Sequence, residues 1–425
     1  MKILHYTLGL PPSRSGGLVE YVHDLAEAQT KIGNQVILLY PGMIRPFHKN
    51  MDIVRDYNKN MSGIDLYSLN NCFPLPLFNG IKNPRDFMKK TSATPFHDFL
   101  SKVNPDVIHI HTFMGMPIEF LEAAKKLNIF LVYTTHDYFG LAPEPNFFFD
   151  GKSYDDANSV INWINASKNS LPTWKLKLFQ SKSYPYIRTL FRRVHVSRGK
   201  NKSKKNMAID INTIEMYKEL KKYYRRMFQL IDVFHFNSKE AEEVYRNNLG
   251  KNIKGKVENI TVDLDSDIIF HDSNNIRIGY IGPNKEYKGF KDFIKIVNQL
   301  RSYNGLNYEF LTYGYFPTKE YDGISQRGKF DSKNLNKVFS NIDILIVPSK
   351  WKETFGLVVV EALYFNTEVF VSNNVGAKDL LPDYFVYESI EELLNKIISR
   401  ARIKNGVVRY KSMIKHAKEI QEMYR

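Results

Sequence analysis

Residues 343–363 read DILIVPSKWKETFGLVVVEAL. The apolar run Ile344 to Val347 has no polar alternation, which predicts a strand buried on both faces. Pro348 ends it, a short polar loop follows, and a helix is expected to begin near Thr354 to Gly356. Glu353 then stands at the carboxyl end of a strand, beside a helix start whose unpaired N–H groups and partial positive charge suit a phosphate. Glu361 lies eight residues later, about two helical turns on, so it faces the same crevice while Val358 to Val360 pack inward. Taken alone, the pair is better read as a helix cap and a solvent-facing glutamate. The rest of the chain decides between these readings.

Outward from this stretch the same strand, loop and helix recur. IRIGYIG, YEFLTYG, EVFVSN and FVYES in the second half, and KILHYT, QVILLYP, DVIHIH, FLVYTTH and VFHFNS in the first, are apolar on both faces and separated by segments of helical period. Strands covered on both sides by helical crossovers make parallel sheets. The expected fold class is α/β with two doubly wound Rossmann-like domains. The first takes residues 1–262, with an insert at about 140–230 where the alternation breaks. The second takes 263–405, and 406–425 form a helix packing back on the first domain. Ligands in such sheets bind beyond the carboxyl ends of the strands.

Composition narrows the class. At 425 residues, 43% hydrophobic and 25% charged, the chain supports two full cores and is not disordered. Its one cysteine, Cys72, forms no intramolecular disulfide. The N-terminal run is too short for a signal peptide, and no apolar stretch approaches the roughly 20 residues of a membrane span, so a cytosolic protein is expected. The net charge of +15 is concentrated: residues 164–226 hold 17 Lys/Arg against 3 Asp/Glu. One surface therefore calls for an acidic partner.

The motifs SGGLVEYVHDLA, DVIHIH, TTHDYFGLAP, FNSKEAEEV, IGYIGPNKEYKGF, DILIVPSKWKETFGLVVVEAL and SNNVGAKDLL together resemble the retaining GT-B glycosyltransferases of the family 4 type. The resemblance covers most of the chain outside 140–230. It implies two domains facing across a cleft and transfer of a sugar from a nucleotide-diphosphate sugar, with no metal and no cofactor. By the same resemblance, Glu353 contacts sugar hydroxyls, Glu361 binds the ribose, and the N–H groups of Phe355, Gly356 and Leu357 hold the diphosphate. Lys288 matches the diphosphate-binding lysine. Where the family usually has an arginine this chain has Pro283, so Lys285 is the candidate for a second cation. His136 sits near the anomeric carbon as a catalytic residue, and Gly16 and Gly17 let a loop approach the donor or acceptor.

Two further features are open to more than one reading. His109 and His111 alternate onto one strand face, a spacing that can ligate metal, but no third ligand is evident in the sequence. In the basic insert, Ile187, Leu190, Phe191 and Val194 fall at i, i+3, i+4 and i+7, with Arg188, Arg192 and Arg193 off that stripe. This is the pattern of an interfacial helix on an anionic membrane, or of a helix packed on its own domain with a solvated basic face. No nucleic-acid recognition motif accompanies it. The expectation is a transferase acting on a lipid-linked or surface-glycan acceptor, peripheral on the inner membrane face. The alternatives are a non-catalytic membrane or nucleic-acid binding protein on a degenerate fold, and a sugar-nucleotide epimerase.

Overall fold

The computed structural model describes residues 1–11, 14–45, 48, 50–76, 80–181, 209–264, 268, 275–303, 307–399 and 411–425. The first sheet is built from β1 (Lys2–Tyr6), β2 (Gln35–Pro41), β3 (Asp52–Arg55), β4 (Ile64–Asn70), β5 (Val107–Ile110) and β6 (Phe130–Thr134). After a small hairpin of β7 (Phe148–Phe149) and β8 (Lys152–Ser153), it is completed by β9 (Val233–Phe236) and β10 (Gly255–Val257). The strand order is β10-β9-β6-β5-β1-β2-β4-β3, parallel except for the edge strand β3. The second sheet holds β11 (Ile276–Ile281), β12 (Tyr308–Tyr313), β13 (Ile324–Gly328), β14 (Ile344–Val347), β15 (Glu368–Ser372) and β16 (Val386–Tyr387). Its order is β13-β12-β11-β14-β15-β16, parallel throughout.

The order of successive parallel strands turns back between β1 and β5 in the first sheet and between β11 and β14 in the second. At such a switch point the flanking loops diverge and leave a crevice. The apolar strands behave as their composition demands: Ile344 to Val347 and Val107 to Ile110 are buried along their whole length. Strands β3, β4, β10 and β13 lie outside the sequence reading. They lie at or next to a sheet edge, where one face is partly open and polar residues such as those of ISQRG are tolerated.

The two halves share a core. One apolar cluster runs from Val22 and Leu25 of the helix Gly17–Lys31, through Ile260 and Val262, to Leu345, Val359 and Val371 of the second sheet. The C-terminal helix Met413–Gln421 lies against the helix Gly17–Lys31, and Ile420 in its last turn, with Met423 and Tyr424 just beyond it, packs on Ile3, Val107 and Val132. In the insert, the helix Ile211–Gln229 is capped by the Asp210 carboxylate, which accepts from the N–H groups of Asn212 and Thr213. That helix buries Tyr217, Leu220, Tyr224, Met227 and Phe228 in the first core. Arg188, Arg192 and Arg193 lie outside the described residues.

Candidate active site

A cavity of about 330 Å³ opens where the two switch points face each other. Gly17, Leu18, Glu20, His136 and Asn237 border it from the first half, and Tyr280 to Pro283, Lys288 and the loop and helix from Val347 to Glu361 border it from the second. The helix Leu357–Tyr364 begins at the cavity, with Gly356 as its N-cap. By helix geometry the N–H groups of its first turn have no carbonyl within the helix to pair with. Glu361 reaches the same cavity from the second turn. Val359 and Val360 are buried as expected, whereas Val358 is half-buried and lines the cavity, because a 100° step per residue cannot put three successive side chains on one face.

Glu353 is 7% exposed and held from two sides: Lys288 pairs with its Oε1, and the Ser349 hydroxyl donates to its Oε2. The Lys288 ammonium also lies 5.4 Å from the centre of the Trp351 ring, a cation–π contact. Lys288 owes its position to Gly289. A Cβ there would fall 1.6 Å from the Pro348 carbonyl oxygen, so only glycine lets this turn meet the end of β14. The buried indole N–H of Trp351 has no partner among the described residues. Ionic and aromatic groups are thus gathered at one end of the cavity.

Glu361 sits at the other end, across from Glu20. Burial, with the Glu20 carboxylate adding to it, pushes the Glu361 carboxyl up to about 7. A raised folded-state pKa in an acid means that the folded protein holds the proton more tightly than the unfolded chain. Stability therefore falls as pH rises from about 4.5 to about 7 and is level above that range. Glu361→Gln should leave the ligand-free protein unchanged near pH 4 and stabilise it at pH 8 by ~1–3 kcal/mol, the scale of a shift of this size. Melting curves of both proteins at the two pH values check this, and equal stabilities at pH 8 would count against it.

His136 follows β6 and lines the cavity, its carbonyl accepting from the Thr354 hydroxyl at 2.7 Å. The Ser238 hydroxyl in turn donates to the Thr354 carbonyl at 2.6 Å, so the loop carrying Glu353 is fastened to the first sheet on both sides of Thr354. Gly17 touches the second half directly: a Cβ there would come within 3.0 Å of Leu357 Cδ1. Gly16 caps the same helix one residue earlier. Lys285, which precedes the short turn Glu286–Lys288, is exposed and is not among the cavity residues. Pro283, two residues earlier in the same loop, does line the cavity. His109 and His111 are buried with His5, one ring nitrogen of each lying within 4.8 Å of the others, and all six ring nitrogens have a hydrogen-bond contact.

Glu20, Ser349, Trp351 and Thr354 escaped the sequence reading. All lie inside stretches already singled out, three within one or two positions of Glu353 or a strand end. The signal was location at a carboxyl end, not residue type.

The description "Glycosyltransferase Family 4" is matched by residues 15–196, and "Glycosyl transferases group 1" by residues 262–419. A Klebsiella pneumoniae protein described as an uncharacterized 42.6 kDa protein in cps region is 23% identical over 400 residues, covering 90% of this chain and 88% of that protein. Among solved structures, Anabaena HepE in complex with UDP and glucose matches with a TM-score of 0.56 at 12% identity, covering 100% of this chain and 99% of that one. The UDP-forming α,α-trehalose-phosphate synthase of Burkholderia xenovorans matches with a TM-score of 0.58 at 9% identity, covering 100% of both chains. Two facing Rossmann-like domains and two successive family matches lead to one conclusion: the chain is a GT-B glycosyltransferase, of family 4 in its first part and of the glycosyl transferases group 1 in its second.

Proposed function

We propose that the protein transfers a sugar, with retained anomeric configuration, from a nucleoside-diphosphate sugar to a lipid-linked or surface-polysaccharide acceptor. The observation that carries this reading is the order of groups along one cavity: Glu353 with Lys288 at one end, a helix start in the middle, and Glu361 at the other. A nucleotide sugar presents the same order, with hydroxyls on the sugar, negative charge on the diphosphate and hydroxyls on the ribose. In this reading the Glu353 carboxylate accepts from sugar hydroxyls and the Glu361 carboxylate from ribose hydroxyls. Lys288 and the N–H groups of Phe355, Gly356 and Leu357 stabilise the charge that grows on the departing diphosphate. The acceptor oxygen attacks the anomeric carbon from the leaving-group side, and the departing phosphate oxygen takes the acceptor's proton, so no protein nucleophile is required. The UDP bound in the Anabaena structure and formed by the Burkholderia synthase supports a nucleoside diphosphate as the leaving group. The cps region named for the Klebsiella relatives supports a surface-polysaccharide acceptor.

A panel of nucleotide sugars and free nucleoside diphosphates, screened by melting shift, tests the donor assignment, since a ligand of the native state raises its melting point by mass action. Against the best ligand, Glu361→Ala should weaken binding of the nucleotide alone by ~1.5 kcal/mol, about tenfold, as expected for a partly exposed charged acceptor. Unchanged nucleotide affinity would remove the ribose role.

The acceptor's setting is proposed from charge. The described part of the insert adds Lys218, Lys221, Lys222 and Arg225 along one helix, around a cavity floored by Leu141, Val160 and Phe228. No helix among the described residues is long and apolar enough to cross a membrane. An anionic leaflet attracts a basic segment by about 1 kcal/mol per Lys/Arg near its surface, decaying within a Debye length. Sedimentation with vesicles should therefore increase with anionic lipid and decrease with salt. Substituting Arg188, Arg192 and Arg193 with Glu should remove binding without changing the melting point. Salt-insensitive or absent sedimentation would end the membrane proposal and leave the transferase one intact.

A further inference from the structure

Between the first sheet and the two helices that cover it, Gly17–Lys31 and Met413–Gln421, runs an unbroken line of buried polar side chains. His136 Nε2 is 3.0 Å from His111 Nδ1, and His111 Nε2 is 3.0 Å from His5 Nδ1. His5 Nε2 is 2.7 Å from Gln29 Oε1, and Gln29 Nε2 is 2.9 Å from the Tyr424 hydroxyl. That hydroxyl is 2.8 Å from His109 Nδ1, and His109 Nε2 is 2.6 Å from Thr134 Oγ1. Thr134 Oγ1 is 2.8 Å from His235 Nδ1, and His235 Nε2 is 2.7 Å from the carbonyl oxygen of Glu258. Five histidines therefore stand in series, all drawn below their ordinary pKa by burial.

The last contact sets the direction of all the others. A carbonyl oxygen only accepts, so His235 must carry its proton on Nε2 and accept on Nδ1. The Thr134 hydroxyl then donates to His235 and accepts from His109 Nε2–H. His109 Nδ1 accepts from Tyr424, whose oxygen must accept from the amide NH₂ of Gln29. This orientation of the amide leaves its oxygen facing His5, which donates from Nε2 and accepts on Nδ1 from His111. His111 in turn accepts on Nδ1 from His136 Nε2–H. Each neutral imidazole has one donor and one acceptor, so reversing any one of them would set donor against donor or lone pair against lone pair.

We propose that this line of contacts, anchored at the Glu258 carbonyl, fixes His136 as the Nε2–H tautomer and leaves its Nδ1 lone pair as a hydrogen-bond acceptor at the cavity. It deepens the transferase reading: a ligand hydroxyl must donate to His136, and the diphosphate, an acceptor, gains nothing from that atom. Gln29 and Tyr424 are positioning residues, acting on the ligand only through the rings between. The line does not conduct protons, because its far end is a backbone carbonyl that cannot pass one on. It also does not suit a metal at His5, His109 and His111, since an ion there would have to displace the contacts that all six ring nitrogens already make. Tyr424 lies just beyond the C-terminal helix, so this helix contributes to the cavity's chemistry without reaching it.

Nitrogen-15 spectra of the histidine-labelled, ligand-free, full-length protein report which ring nitrogen bears the proton, with His136 assigned by loss of its signals in His136→Asn. The expected result is a single tautomer for His136, protonated on Nε2. Gln29→Leu cuts the line 
at its middle and should give His136 both tautomers, with turnover of the best donor from the panel lowered roughly 2- to 10-fold, the range for one neutral hydrogen bond. If that variant does not fold, Tyr424→Phe makes the neighbouring cut and should show the same mixing. A wild-type His136 protonated on Nδ1, or a tautomer unaltered by either cut while stability drops, would overturn the proposal. Because the spectra need no ligand, they can fail while the transferase reading stands, and the reverse also holds.

Discussion

Lys288→Ala should lower kcat/KM for transfer by roughly 10²–10³-fold, the cost of removing one preorganised group that stabilises developing charge. The reason is geometric. Lys288 is the one cation among the described residues bordering the cavity, and the family's usual arginine is replaced by Pro283, whose carbonyl is occupied by the Tyr280 hydroxyl at 2.8 Å. Lys285 is exposed and outside the cavity, so it does not make up the loss. Removing Lys288 also leaves Glu353 buried without its counter-charge. Because the lysine itself is 25% exposed, the resulting fall in stability should be modest, ~1–2 kcal/mol, well below that of a fully buried pair. Steady-state kinetics with a melting curve separate the two effects, and a variant that keeps transfer within threefold of wild type would refute the role.

Glu353→Gln should lower kcat roughly 100-fold while leaving the affinity for the free nucleoside diphosphate within about threefold. The substitution keeps the shape and one oxygen, so the Ser349 hydroxyl still has an acceptor. What it loses is the charge facing Lys288 and the second acceptor oxygen, whose place an NH₂ donor takes. If Glu353 touches the sugar and not the nucleotide, transfer falls and nucleotide binding does not. Parallel loss of both would place Glu353 on the nucleotide, and loss of neither would remove it from the site.

These two residues show how far the sequence alone reaches. The burial of β14, the loop after it that carries Glu353 and the helix that turns Glu361 to the same cavity follow from an apolar run, a proline and a helical period. Those features need no knowledge of the partner chain segments. Acids stand at both ends of this apolar run because the run separates two polar ends of one cavity. The edge strands β3 and β13 were not legible, since half-exposed strands carry the polar residues of ordinary loops. Nor was the fastening of Thr354 to His136 and Ser238, which joins positions more than 100 residues apart through two hydroxyls and two carbonyls. The line of histidines was the least legible. DVIHIH displays two members, but His5, Gln29, His235 and Tyr424 come from four other elements and meet only because β1, β5, β6 and β9 are neighbours in the sheet.

The chemistry itself gives the most direct test. Purified protein is incubated with the nucleotide sugar that most raises its melting point, with and without a glycan acceptor, and proton NMR follows the anomeric signals. The expected result is release of a nucleoside diphosphate together with a glycosidic product of the same anomeric configuration as the donor. Conversion of the sugar nucleotide to its epimer without nucleotide release, or a donor that binds and is never consumed with any acceptor, would contradict the account.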